Sequence, residues 1–188
     1  MLPPILARKE ALGYPVFCGQ YDLNIIGIRK RSGKPDAFDD LICCAYRNTK
    51  EWRVHCWEAT TDPGLYWLEH PANIKGTAIL CPGHYSGIWE IDLHRQKYEA
   101  LCQRSGPVKV WRDVDRDSEL DTNGETDEGF FGINLHKAGR SSTRVDRWSA
   151  GCQVVRNQSD FSTMMKLANL QISTTGCTTF SYTLLEEW

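Results

Sequence analysis

Short runs of apolar residues, alternating in and out as a pleated strand requires, recur along this chain between clusters of Gly, Pro, Asn and Asp. Strands are predicted over 23–29, 52–59, 77–80, 88–93, 108–112, 132–136 and 180–185. The segments SGKPDAFDD, TTDPG, HPANIKG and DTNGETDEG read as turns or loops between them. Helical periodicity is clear once. Ser159 or Asp160 can cap a helix that places Phe161, Met164, Met165 and Ala168 on one face. A second, short helix is predicted near 5–12. The pattern is that of a mainly β, α+β domain with one or two helices. No repeat or linker divides residues 1–188, so a single domain is expected.

Composition changes this picture little. With 41 % hydrophobic and 24 % charged residues the chain is an ordinary globular one. A net charge of −2 carries no nucleic-acid footprint. Seven Trp and seven Tyr fit best as core of a small β-rich domain. The amino-terminal MLPPILARKE lacks the basic start and unbroken apolar run of a secretory signal. No stretch approaches the ~18 apolar residues of a membrane span. A chain made in the cytoplasm is therefore expected.

Cysteines at 18, 43, 44, 56, 81, 102, 152 and 177 show no CxxC pairing. Most lie in apolar runs such as LICCAY and AILCPG, where a reduced thiol serves as a small hydrophobe, so folding without disulfides is expected. The spacing fits no zinc site, and neither metal nor cofactor is expected.

The chemistry-bearing stretch is 132–155, GINLHKAGRSSTRVDRWSAGCQVV. A strand ends in His136, a polar loop follows, and the loop closes in Ser149-Ala150-Gly151-Cys152. A thiol nucleophile needs a proton acceptor within reach, and backbone amides for the oxyanion formed on an attacked acyl carbon. His136 and Gly151 are the residue types that supply these. By themselves such residues are more often a structural thiol and a solvated histidine.

This segment resembles the catalytic signature of the L,D-transpeptidase family, a His followed by a loop and Ser-x-Gly-Cys. Here Cys152 follows His136 by 16 positions, and the match covers about 24 residues. The resemblance implies an L,D-transpeptidase-like β-sandwich and a monomer that acts on peptidoglycan stem peptides through an acyl-enzyme. Cys152 would be the nucleophile and His136 its proton partner. The carbonyl of Lys137 would orient the ring, the amides of Gly151 and Cys152 would form the oxyanion hole, and Ser149 would brace the loop. The family commonly has Gly after the His and Arg two residues after the Cys. Here Lys137 and Val154 stand there, with Arg147 or Arg156 as possible replacements for the missing cation.

The expected activity is a stem-peptide hydrolase of the L,D-peptidase or endolysin kind, reaching the bacterial wall by a route other than a signal peptide. Three alternatives stay open: a cross-linking transpeptidase, a cytoplasmic cysteine hydrolase or acyltransferase, and a non-catalytic wall-binding or virion protein.

Other candidates read more plainly. Asp113, Asp115, Asp117 and Asp121 are spaced like the opening of a calcium loop. Ser118 replaces its glycine and Gly124 its final glutamate, so a solvated acidic hairpin is the simpler reading. His84 and His94 are expected to be bystanders on a β surface, as are His55 and His70. Cys43-Cys44 reads as core packing, and the run Arg29–Arg31 as a solvated strand end.

Overall fold

A computed structural model describes residues 1–31, 34–140 and 142–188. The first two residues of the expected SGKPDAFDD turn, and one residue of the loop before Cys152, lie outside that range.

Six antiparallel pairings and two parallel ones close eight strands into a barrel. β1 (Asn24–Arg29), β2 (Asp40–Arg47) and β3 (Trp52–Thr60) form an antiparallel meander. β5 (Gly83–His94) and β6 (Tyr98–Gln103) form a long hairpin. Closure comes from β9 (Leu135–Lys137) and β10 (Gln153–Val155), which pair in parallel, and from β11 (Thr179–Glu186), parallel to β1. The order around the barrel is β1-β11-β5-β6-β9-β10-β3-β2. β4 (Thr77–Leu80), β7 (Val108–Asp113) and β8 (Thr126–Gly129) make a separate three-stranded sheet.

The mainly β, α+β class is therefore present, and each of the seven expected strands has a counterpart, although the one expected over 132–136 begins only at Leu135. The two-layer sandwich is not the form it takes, because the parallel pairs join the sheet edges into a closed barrel and leave it without free edges. Four strands were not anticipated. β2 is apolar on both faces, which hides the two-residue period. β10 is three residues long, and β8 lies in a segment read as loop. β6, the segment carrying EALCQ, is buried over Ala100–Gln103 and likewise shows no alternation.

Both faces of β2 are buried for a reason. Ile42, Cys44 and Tyr46 join the main core, while Cys43 and Ala45 meet Ile26, Leu185, Ile5 and Leu6 on the other side. Ile5 and Leu6 belong to α1 (Pro4–Ala11), which covers this outer face. On the same face Cys43 stands directly opposite Cys56 of β3, Cα atoms 4.1 Å apart, and the two form a disulfide. That corrects the expectation of reduced thiols throughout. Cross-strand register, not sequence spacing, brings the pair together. The other six cysteines are free.

A short helix, α2 (Leu65–Glu69), adds a third to the expected one or two. α3 (Gln158–Thr175) starts two residues before the expected caps, at Asn157, so Ser159 and Asp160 fall in its first turn, where the Asp160 charge favours the helix dipole. It buries Phe161, Met164, Leu167, Ala168 and Gln171 and ends on Gly176 in the left-handed region. Gln171 ties it to the barrel: its Oε1 accepts the Leu23 amide at 2.9 Å and its Nε2 donates to the Thr179 carbonyl at 3.1 Å.

Candidate active site

Parallel pairing of β9 with β10 sets His136 opposite Val154, so His136, Val154 and Cys152 project from one face of that sheet. Leu135 and Val155, on the opposite face, join the main core. On the His136 face Val154 packs with Phe38, Ala138 and Val145, and Cys152 lies against that cluster. The loop between β9 and β10 leads back to Cys152. It is held from several sides: the Val145 amide donates to the Asp36 carbonyl at 3.1 Å, Arg144 pairs with Asp36 at 2.8 Å, and Gly64 donates its amide to the Ser149 carbonyl at 2.8 Å.

Ser149 is fully buried. Its hydroxyl donates to the Cys152 carbonyl at 2.8 Å and accepts the Gly151 amide at 3.2 Å. The Gly151 amide is thus already engaged, and in this arrangement it is not free to face an oxyanion. What the position demands is glycine's backbone freedom: φ is +115°, and an added Cβ would collide with the Ala78 carbonyl of β4.

His136 is 1 % exposed. Its Nδ1 lies 3.0 Å from the Lys137 carbonyl, which can only accept, so Nδ1 carries the proton. The Tyr98 hydroxyl sits 3.4 Å from the same nitrogen and donates to the Lys137 carbonyl at 3.4 Å. Nε2 is then the bare nitrogen, and it is buried with no hydrogen-bond partner among the described residues. Burial pushes the ring down to about 3, helped by His94 and Arg95; the Lys137 and Trp148 carbonyls pull the other way.

Cys152 is half-buried, and its Sγ lies 3.3 Å from the Gly132 carbonyl. No hydrogen bond joins it to His136 in this arrangement. Burial pushes the thiol up to about 11, against the Asn134 amide and the Arg95 charge, which lower it. Burial thus favours the neutral form of both the thiol and the imidazole.

His94 is no surface bystander. It is buried, and it stacks on His136 with ring centroids 4.1 Å apart. Asn134 accepts the Gln103 amide through Oδ1 at 2.8 Å, which leaves its Nδ2 to donate to His94 Nδ1 at 3.1 Å. Burial, then Arg95 and Arg104, lower His94 to about 4. His94 and Tyr98 flank the β5–β6 turn, whose central residues Arg95 and Gln96 both have positive φ. Only that hairpin register places these side chains at the site, and no local sequence signal announces it. Arg95 is also the cation felt at Cys152, His94 and His136 alike. The two arginines considered for the missing family Arg are engaged elsewhere: Arg156 pairs with Glu58 at 2.7 Å, and Arg147 lies 3.9 Å over the Tyr66 ring.

Two cavities flank the loop. One of about 570 Å³ is lined by Tyr66, Arg144 and Trp148. The other, about 360 Å³, is lined by Thr77, Ala78, Arg112, Phe131 and Ala150. The acidic residues Asp113, Asp115 and Asp121 lie together on the separate sheet, whereas His55 stacks between Tyr46 and Trp57 and His70 against Tyr66.

No protein-family model matches the sequence, and comparison with curated proteins and with solved structures finds no match for the chain. Among the described residues no helix is long and apolar enough to cross a membrane.

Proposed function

We propose that this protein is a cysteine-dependent hydrolase of peptidoglycan stem peptides, working through an acyl-enzyme on Cys152. The observation that supports it is the bare, buried Nε2 of His136 on the same sheet face as a half-buried thiol. A buried acceptor without a donor costs about 1–3 kcal/mol, so this nitrogen is poised to take a proton. Because burial favours the neutral form of both groups, the chemistry is general-base attack and not a stored ion pair. As sulfur bonds to the acyl carbon, its proton passes to Nε2. The C–N bond breaks and the leaving amine takes that proton. Water then adds to the thioester, giving its proton back through the same nitrogen, and the carboxylate product and thiol separate. The Lys137 and Trp148 carbonyls favour the charged ring during transfer. Arg95, exposed at the β5–β6 turn, is the cation suited to a stem-peptide carboxylate. A monomer acting at the bacterial wall, with no nucleic acid and no metal in the chemistry, belongs to the same reading.

Digestion of purified sacculi followed by mass spectrometry of the muropeptides tests this. Shortened stems with wild-type protein and none with Cys152→Ala are expected; new cross-links would make it a transpeptidase. Unchanged muropeptides would sink both.

A second reading has its own support. A thiol raised to about 11, turned toward a carbonyl, suits a wall-binding or virion protein that keeps the site's form without turnover. Sacculus binding by wild type and Cys152→Ala alike, with no cleavage by either, would favour it.

A further inference from the structure

The separate three-stranded sheet carries a second polar cluster, in the connection from β7 to β8. Asp113, the last residue of β7, is fully buried. It pairs with Thr77 of β4, and Gly76 packs directly on its carbonyl, so its backbone is fixed. Asp115 and Asp121 come from the following loop. One carboxylate oxygen from each of the three lies within 4.8 Å of the others.

Exposed acidic turns of this kind are common and signify little. Asp113 makes this one different. Its Oδ2 accepts the Asp121 amide at 3.2 Å, but its Oδ1 is buried with no donor among the described residues. A buried, ionised carboxylate without a partner for one oxygen is unfavourable, and two neighbouring carboxylates make it more so. A cation held between the three carboxylates would satisfy that oxygen and offset their mutual repulsion.

We propose that Asp113, Asp115 and Asp121 bind one Ca²⁺, which orders the β7–β8 loop. All-oxygen, all-anionic donors select a hard cation over zinc or copper. One oxygen from each carboxylate lies within 4.8 Å of the others, close enough to share one cation, and Ca²⁺ accepts an irregular oxygen shell completed by water where Mg²⁺ demands a near-ideal octahedron. Asp115 is exposed and Asp121 half-buried, leaving the outer side to water, as an incomplete protein shell requires. The loop leads directly into β8, whose Asp127 holds Arg112 of the smaller cavity at 3.0 Å. The site is separate from Cys152, and its existence does not depend on the proposed hydrolase activity.

The test uses full-length protein freed of metal with EDTA. Calorimetric titration with CaCl₂ near neutral pH should show about one equivalent bound, and the melting temperature should rise by several degrees, with MgCl₂ much less effective. Asp113→Asn should weaken binding roughly tenfold or more. If that variant does not fold, Asp115→Asn combined with Asp121→Asn, changed on the outer side of the cluster, should lose the calcium response instead. Tb³⁺ luminescence excited through Trp111 gives a readout independent of stability. No binding heat, no thermal shift and no Tb³⁺ signal with wild type would overturn the site. So would a double variant that binds Ca²⁺ as tightly as wild type.

Discussion

Two histidines in this molecule, His136 and the half-buried His84, look alike by themselves and differ in their surroundings. His136 and His84 each engage Nδ1, His136 with the Lys137 carbonyl and His84 with the Thr183 hydroxyl at 2.8 Å. Each leaves Nε2 buried and unpartnered, and burial lowers both rings, to about 3 and about 4. The difference is the company. His84 stacks on Tyr14 and lies near Lys9, a buried ammonium bonded to Asn24 that lowers the ring further. His136 has a half-buried thiol on its own sheet face and a second imidazole stacked on it. An orphaned imidazole is therefore not itself a signal of catalysis. A proton donor that becomes a nucleophile on losing its proton is what turns one into a base.

The sharpest way to break the comparison is to remove each ring. His136→Ala should cost about 10²–10⁴-fold in kcat/KM on muropeptides, and Cys152→Ala should abolish turnover. Their double variant should be no worse than Cys152→Ala, because both remove one step. His84→Ala should keep most activity. His94→Ala, given the stack, should lose about tenfold through a misplaced His136. Equal losses from His84→Ala and His136→Ala would erase the distinction between the two sites.

A smaller effect separates stability from chemistry. His84, His94 and His136 all have folded values below the ordinary 6.5, so the unfolded chain takes up protons that the folded one refuses. Stability from these groups is complete above that value and is lost as pH falls through it toward about 4 and then about 3. Denaturant midpoints measured across that range should fall with acid, and His84→Phe should flatten the fall while leaving the pH–rate profile alone. The rate itself should show a plateau over about pH 5 to about pH 9, since a neutral ring and a neutral thiol both persist there. A bell centred near neutrality would point to a thiolate–imidazolium ground state.

The smallest expected difference is in simple alkylation. Cys18 and Cys177 are exposed, whereas Cys152 is half-buried with its thiol raised to about 11. Iodoacetamide near neutral pH should label the first two before Cys152. Peptide mapping that finds Cys152 first would show the thiol to be activated after all.

How far the site could be read without coordinates depends on the distance in sequence between its parts. His136, Lys137, Ser149, Gly151 and Cys152 lie in one stretch, and their contacts are made within it: the Lys137 carbonyl on its neighbour's ring, and Ser149 on the Gly151 amide and Cys152 carbonyl. His94 and Arg95 meet that stretch only through strand pairing of β5 and β6, which brings His94 to Asn134, and so His94 was taken for a bystander. The Cys43–Cys56 bridge was missed for the same reason, a cross-strand register that no spacing encodes.

The amino-acid sequence by itself determined the local features: where two-residue periodicity makes strands, the apolar face of α3, the left-handed turn at Gly176, and a glycine just before Cys152. These follow from backbone sterics and side-chain period, which act over a few residues. Closure of the sheet into a barrel, the stacking of His94 on His136, the burial that raises the Cys152 thiol and the orphaned oxygen of Asp113 were decided only by the tertiary structure. Desolvation and charge coupling depend on which distant elements come within a few ångströms, and strand register sets that distance.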